Sequence, residues 1–266
     1  MVALNPSLRF PVVLFDLGST LIYFSGDWPD VIRQGQAALV NTLLHAGLKL
    51  DPEPFQAQLK ATLEAYFSSR DDELVEHTTG AILRSLLSNW GYSDLPESLL
   101  LAALQGMYQV SETYWHVEAE TLPALDDLRR QGYRLGLISN AADDANVQRL
   151  VDKAGLRAYF DVLLTSAGQG IRKPHPRIFQ TALQTWLATP AQAVMVGDML
   201  SADIQGAKNL GIYSVWVTRR APLPDAPAPS LWPNAIPDYV GELPELLSSL
   251  TQKHANHRVH NGHQRY

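Results

Sequence analysis

Beyond residue 116 the chain alternates short apolar runs with amphipathic stretches, and this alternation restricts the possible folds more than any other feature. Residues 134–138, 161–164, 193–196 and 213–217 read as strands, and residues 121–131, 143–154, 176–187 and 202–210 read as the helices between them. Strands that are apolar throughout must be covered on both faces. Strand–helix alternation of this kind predicts an α/β fold with a doubly wound parallel sheet. The run at 11–15 (PVVLF), rich in β-branched residues and ending at Asp16, is expected to join that sheet as a buried strand.

Between this first strand and the alternating region the pattern changes. Residues 30–48, 52–69, 74–90 and 96–115 carry helical spacing, with apolar stripes such as Leu39, Leu43, Leu44 and Leu83, Leu86, Leu87. A helical insertion over 22–116 is therefore expected to interrupt an α/β core made of 1–21 and 117–250. Ligands of doubly wound sheets bind at the carboxyl edge, so the insertion would sit as a lid over Asp16. Residues 221–237 include Pro222, Pro224, Pro227, Pro229, Pro233 and Pro237 and read as an extended surface connection, followed by a short strand and helix over 238–250. The segment 251–266, with His254, His257, His260 and His263 but no apolar partners, reads as a disordered tail.

Composition narrows the chemistry. The chain has 266 residues, 46% apolar, with no cysteine and a net charge of −6. Thiolate catalysis, disulfides and cysteine-held zinc are excluded, and no basic run marks a nucleic-acid or membrane-surface partner. No stretch approaches the roughly 18 apolar residues of a membrane helix, and residues 1–10 lack signal-peptide character, so a cytoplasmic protein is expected. The expected assembly is a monomer or homodimer.

Four short segments fall at the carboxyl ends of expected strands or beside them: Asp16–Thr20, Ser139–Asn140, Lys173–Pro174 and Gly197–Asp203. Taken singly, each has an ordinary structural explanation as a turn, cap or solvated loop. In a doubly wound sheet, however, all four share one crevice. Asp16 and Asp198 brought together would repel unless a cation lay between them, and hard oxygen ligands with open positions suit Mg²⁺. Asp203 is expected to cap the following helix and to act on the metal indirectly. A phosphate beside the metal would be met by the Lys173 ammonium, the Ser139 hydroxyl and the backbone N–H groups near Asn140. A carboxylate so placed can attack phosphorus to give an aspartyl-phosphate.

The segments FDLGSTL, LISNA, GIRKPHPRIF and VGDMLSADIQGAKNLGI resemble, in order, the four motifs of haloacid dehalogenase-like hydrolases, and the likeness spans residues 11–250. The resemblance implies Asp16 as nucleophile and metal ligand. It also implies the Gly18 carbonyl and Asp198 as further metal ligands, Ser139 and Lys173 as holders of the phosphoryl group, and Thr20 with Asp203 in support behind them. It implies a Mg²⁺-dependent phosphatase acting on a small phosphorylated metabolite, with residues 22–116 as the substrate-selecting cap. Tyr66, Arg70, His77 and Trp90 in that cap are candidates to face substrate, but tyrosine and tryptophan at helical spacing are more often core, and no cap residue is assigned a role. His175, between two prolines, reads as a helix opener.

The chain departs from the family pattern in one place. Phosphatases of the family carry a second aspartate two residues after the nucleophile, as general acid and then base; here that residue is Gly18. Proton transfer of this kind is worth roughly 10²–10⁴-fold. The first expectation is a phosphatase for leaving groups that need little protonation, or one that borrows an acid from the cap or from Asp27. A dehalogenase- or phosphonatase-type hydrolase is the alternative within the family. A non-catalytic protein that binds a phosphorylated ligand is the alternative outside it.

Overall fold

The computed structural model describes residues 4–222 and 229–262. Five parallel strands form the central sheet: β1 (Val12–Phe15), β4 (Arg134–Ser139), β5 (Val162–Thr165), β6 (Ala193–Gly197) and β7 (Tyr213–Trp216), in the order β5-β4-β1-β6-β7. β1 is central, paired with β4 through Val12↔Arg134 to Phe15↔Leu137 and with β6 through Val12↔Ala193 to Phe15↔Val196. Its alternate side chains enter different cores. Val13 and Phe15 pack with Leu125, Leu128, Val147, Leu150, Val151, Leu243 and Leu247, which belong to α5 (Thr121–Arg130), α6 (Asp144–Lys153) and α10 (Leu243–Gly262). Val12 and Leu14 pack with Ile178, Phe179, Ala182, Leu183 and Ala207, from α8 (Pro176–Gln184) and α9 (Gln205–Leu210). A strand buried on both sides needs this continuous apolar run, so the doubly wound expectation is met.

Four helices make up the insertion: α1 (Trp28–His45), α2 (Pro52–Glu73), α3 (Thr79–Asn89) and α4 (Glu97–Glu112). They enclose their own core, in which Leu39, Leu43, Phe55, Leu59, Leu83, Leu87 and Leu104 are buried. The chain enters and leaves this bundle through a two-stranded antiparallel ribbon, β2 (Ile22–Phe24) against β3 (Trp115–Val117). The ribbon corrects the expectation of a helix running to residue 115. Three-residue strands are too short to leave a period in the sequence, and Trp115 completes a plausible helical stripe that the chain does not follow.

Three further expectations are corrected. The helix expected over 74–90 begins at Thr79, capped by the Thr78 side chain, which accepts from Ala81 N at 3.1 Å. Residues ahead of it are extended, and Val75 bridges Ile171 of the core. At the other end, the backbone of 251–262 is helical as the continuation of α10, where a disordered tail was expected. The stretch lacks proline and includes Gln252, Lys253, Ala255 and Arg258, so once Leu243 and Leu247 anchor the first turns nothing local stops the helix. No strand precedes it; a 3₁₀ turn at Val240–Glu242 takes its place. Residues 223–228 of the proline-bearing connection and His263 lie outside the described residues. Among the described residues no helix is long and apolar enough to cross a membrane.

Candidate active site

The carboxyl edge of the sheet opens into a cavity of about 460 Å³ between core and cap. Asp16 stands at its centre because β1 is the central strand: its amide still donates to Val196 O (2.9 Å), which continues the β1–β6 ladder one residue past Phe15. The chain then turns sharply. Leu21 N and Ile22 N both donate to Leu17 O (2.9 and 3.1 Å), and Ser19 adopts a left-handed φ of 58°, a conformation that is costly for a residue other than glycine. This turn sends the chain directly from Asp16 into the ribbon.

Lys173 reaches the same point from the loop before α8. Its Nζ donates to Asp16 Oδ1 (2.5 Å) and Ile138 O (2.6 Å), and it forms an ion pair with Asp203 Oδ1 (2.7 Å). The side chain is almost wholly enclosed. Burial works against its charge, yet Asp16 and Asp203 outweigh that penalty and hold its pKa above the ordinary lysine value. Asn140, expected to offer backbone donors to phosphate, also uses its side chain. Its Oδ1 accepts from Lys173 N (2.8 Å) and its Nδ2 donates to Lys173 O (2.9 Å), so its amide fixes the lysine backbone.

Asp198 follows β6 directly, and its carbonyl accepts from Trp216 Nε1 at 2.8 Å. Thr20, buried behind the cavity wall, lies 3.5 Å from Asp198 Oδ1. Asp203 sits in a π-helical turn, Leu200–Ile204, ahead of α9; such turns recur at functional sites. Its Oδ2 accepts from Met199 N (3.0 Å) while Oδ1 meets Lys173. The turn forces a glycine nearby: a β-carbon at residue 197 would come 2.2 Å from Asp203 Oδ2. Gly197 is thus required by the close approach of a carboxylate.

One carboxylate oxygen each from Asp16, Asp198 and Asp203 falls within 4.8 Å of the others, all three residues being buried. In the absence of a cation, burial raises the Asp16 carboxyl to about 6, with Lys173 partly offsetting it. Burial, together with the charges of Asp16 and Asp203, raises Asp198 to about 8. Acids destabilised in this way by desolvation and by one another suit a hard divalent cation, and all their donors are oxygen. Of the residues expected from the sequence, Asp16, Gly18, Ser139, Asn140, Lys173, Asp198 and Asp203 all line the cavity.

Asp27 does not line it, and is exposed at the start of α1. Beside Gly18 lies Trp115: a β-carbon built on the glycine would touch the indole Cη2 at 3.4 Å. Trp115 belongs to an aromatic group with Phe24 (5.4 Å between ring centres) and Trp28 (6.4 Å).

Several site residues were not apparent in the sequence. Arg172, next to Lys173, is buried and donates through Nη1 to Glu76 Oε2 (3.0 Å), and its Nη2 meets Asp71 at 3.0 Å. Glu76 in turn accepts from Tyr66 Oη (2.7 Å), whose oxygen receives His77 N (3.0 Å). Tyr66 and His77 thus serve this junction between cap and core. Trp90 donates to Gln58 (2.8 Å) inside the cap, as expected of a tryptophan at helical spacing. Arg70, a candidate to face substrate, lines the cavity. The Thr78 cap and the extended residues before it were the available signal for the junction. His175 caps α8, its Nδ1 accepting from Arg177 N at 3.2 Å, as expected of a helix opener.

A family model described as haloacid dehalogenase-like hydrolase matches residues 10–211. The glyceraldehyde 3-phosphate phosphatase of Pyrococcus furiosus is 26% identical over 251 residues, covering 93% of this chain and 96% of that protein. The phosphoserine phosphatase of Thermus thermophilus is 30% identical over 254 residues, covering 83% and 96% respectively. Among solved structures, a 2-haloacid dehalogenase from Pseudomonas syringae pv. Tomato DC3000 is similar with a TM-score of 0.67 and 27% identity, over 91% of this chain and 99% of that one.

Proposed function

The chain belongs to the haloacid dehalogenase-like hydrolases, and from that premise we propose that it is a Mg²⁺-dependent phosphatase of a small phosphorylated metabolite, working through Asp16. The observation that carries this reading is the buried cluster in which one ammonium, Lys173, is held between the Asp16 and Asp203 carboxylates with Asp198 alongside. Two phosphatase relatives support the same class of bond.

Asp16, oriented by Lys173, attacks phosphorus; the phosphorus–oxygen bond to the leaving group breaks and an aspartyl-phosphate forms. Ser139 and Lys173 hold the phosphoryl oxygens, with Asn140 fixing the lysine from behind. Water then attacks the same phosphorus, phosphate is released, and Asp16 is regenerated. Asp16, the Gly18 carbonyl and Asp198 would hold Mg²⁺, which when bound supplies positive charge to the phosphoryl oxygens; Asp203 and Thr20 support from behind. With glycine at position 18 and Asp27 turned to solvent, neither position supplies a carboxylic acid to the leaving group, so substrates with good leaving groups are favoured.

The test is hydrolysis of p-nitrophenyl phosphate against alkyl phosphates. Mg²⁺-dependent turnover, lost in Asp16→Asn and strongly biased towards the aryl ester, is expected. Halide release from 2-haloacids without metal would replace this reading by the dehalogenase one. Tight phosphate binding without any turnover would replace it by a binding protein.

A further inference from the structure

A second cavity, of about 320 Å³, lies inside the cap between α1, α2 and α4. Its volume lies within the range of small-molecule sites, roughly 300–1,000 Å³. Trp28, Arg70, Tyr108 and Ser111 line both this cavity and the one containing Asp16, so the two adjoin through a shared neck. Beyond the neck the walls are mainly apolar: Val31, Ile32, Leu63, Phe67 and Met107. Trp28, Ile32 and Phe67 are among the large apolar side chains left exposed on the described surface, at 48%, 37% and 41%. Three such residues gathered on one cavity, when their neighbours Val31 and Leu63 are buried, indicate a wall that an apolar group would complete.

Gln36, Lys60, Glu64 and Thr79 are the polar members of that lining, and the neck adds a guanidinium. Arg70 places its guanidinium over the Phe67 ring (4.7 Å), and its buried Nε has no hydrogen-bond partner among the described residues. An arginine set between an apolar chamber and a phosphoryl site matches a ligand with an oxygen-rich junction and an apolar extension.

We propose that the cap cavity binds an aliphatic chain of the substrate, so that the enzyme takes amphipathic phosphates whose reactive end lies on Asp16 and whose chain passes Arg70 into the space walled by Ile32, Phe67 and Met107. The proposal rests on the phosphatase reading for the reactive end only. The chain contributes binding energy from burial of apolar surface.

Acyl phosphates from acetyl to octanoyl test it, because the leaving group is a carboxylate throughout and only the chain varies. kcat/KM is expected to rise about fourfold per added methylene until the cavity is filled, then to level off. In Ile32→Asp and Phe67→Asp, substitutions at partly exposed positions, the octanoyl-to-acetyl ratio should fall towards one. Calorimetric binding of methyl- to octylphosphonate supplies a readout without turnover. Affinity that grows with chain length and is lost in the two variants supports the cavity even if no acyl phosphate is hydrolysed, in which case the phosphatase reading alone fails. Hydrolysis at equal efficiency for all lengths, phosphonate affinity independent of length, or variants with an unchanged ratio would each overturn the proposal and leave the phosphatase reading standing.

Discussion

Arg172 Nη1 and Glu76 Oε2 meet at 3.0 Å across the boundary between core and cap, with both side chains almost completely removed from solvent. Around them the backbones also join: Glu76 N donates to Gly170 O (3.1 Å) and Arg172 N to Leu74 O (3.1 Å). The pair therefore fixes where the cap sits over Asp16. Removing one partner of a buried pair typically costs ~3–5 kcal/mol because a charge is left unpaired. Arg172 keeps the exposed Asp71 as a second partner, so Glu76→Leu is expected at the low end of that range in chemical denaturation. Glu76→Leu with Arg172→Met should recover most of the loss. A double variant as unstable as Glu76→Leu alone would show that the pair is not the source.

Lys173 is expected to be as important for integrity as for turnover, since without it Asp16 and Asp203 face one another unneutralised. Lys173→Met should lower kcat by roughly 10²–10³, the usual cost of removing one preorganised charge or donor from a site. Lys173→Arg should not restore it, because a planar fork cannot reproduce a point charge held by three oxygens. Circular dichroism would separate lost folding from lost turnover; wild-type kcat in the arginine variant would contradict the geometry.

The metal-free protein should lose stability as pH rises. Asp198, with its carboxyl raised to about 8 in the folded state against an ordinary value of 3.8, binds its proton more tightly folded than unfolded. Folding is therefore favoured at low pH and weakened as that proton leaves, between about 4 and 8. Thermal unfolding with chelator at pH 5.5 and pH 8 should give the lower Tm at pH 8. Added Mg²⁺ should raise the pH 8 value, and Asp198→Asn should both raise the metal-free Tm and abolish the Mg²⁺ shift. A Tm indifferent to Mg²⁺ in the wild-type protein would argue against a cation at this cluster.

The sequence reveals some parts of this site much more readily than others. Asp16, Ser139 and Asp198 were legible because each closes an apolar run, and a parallel sheet brings the ends of such runs together without further information. Arg172 and Glu76 were not, since they lie 96 residues apart and neither belongs to a periodic pattern. Asn140 was legible as a site residue, but its side-chain hold on Lys173 was not, since it depends on where the lysine backbone passes. The helices of the cap followed from their apolar stripes, whereas the ribbon did not: in three-residue strands the pairing, and not any local preference, determines the conformation.

The contact between Gly18 and Trp115 yields the most specific prediction about catalysis. If the indole occupies the side of the leaving group where a general acid would work, Gly18→Asp alone should create that acid only in part, because its β-carbon fits in van der Waals contact with the ring and the carboxyl beyond it must share the space of the indole. Trp115→Ala alone opens space but supplies no proton. Only Gly18→Asp with Trp115→Ala offers both, and it should raise turnover of alkyl phosphates relative to p-nitrophenyl phosphate, by up to the roughly 10²–10⁴-fold that general acid catalysis contributes. The ratio of the two rates is the quantity to measure, since it cancels losses of folded protein or of phosphate binding common to both substrates. The double variant's ratio should exceed that of either single variant. An unchanged ratio in the double variant would mean that leaving-group protonation is not what Gly18 lacks.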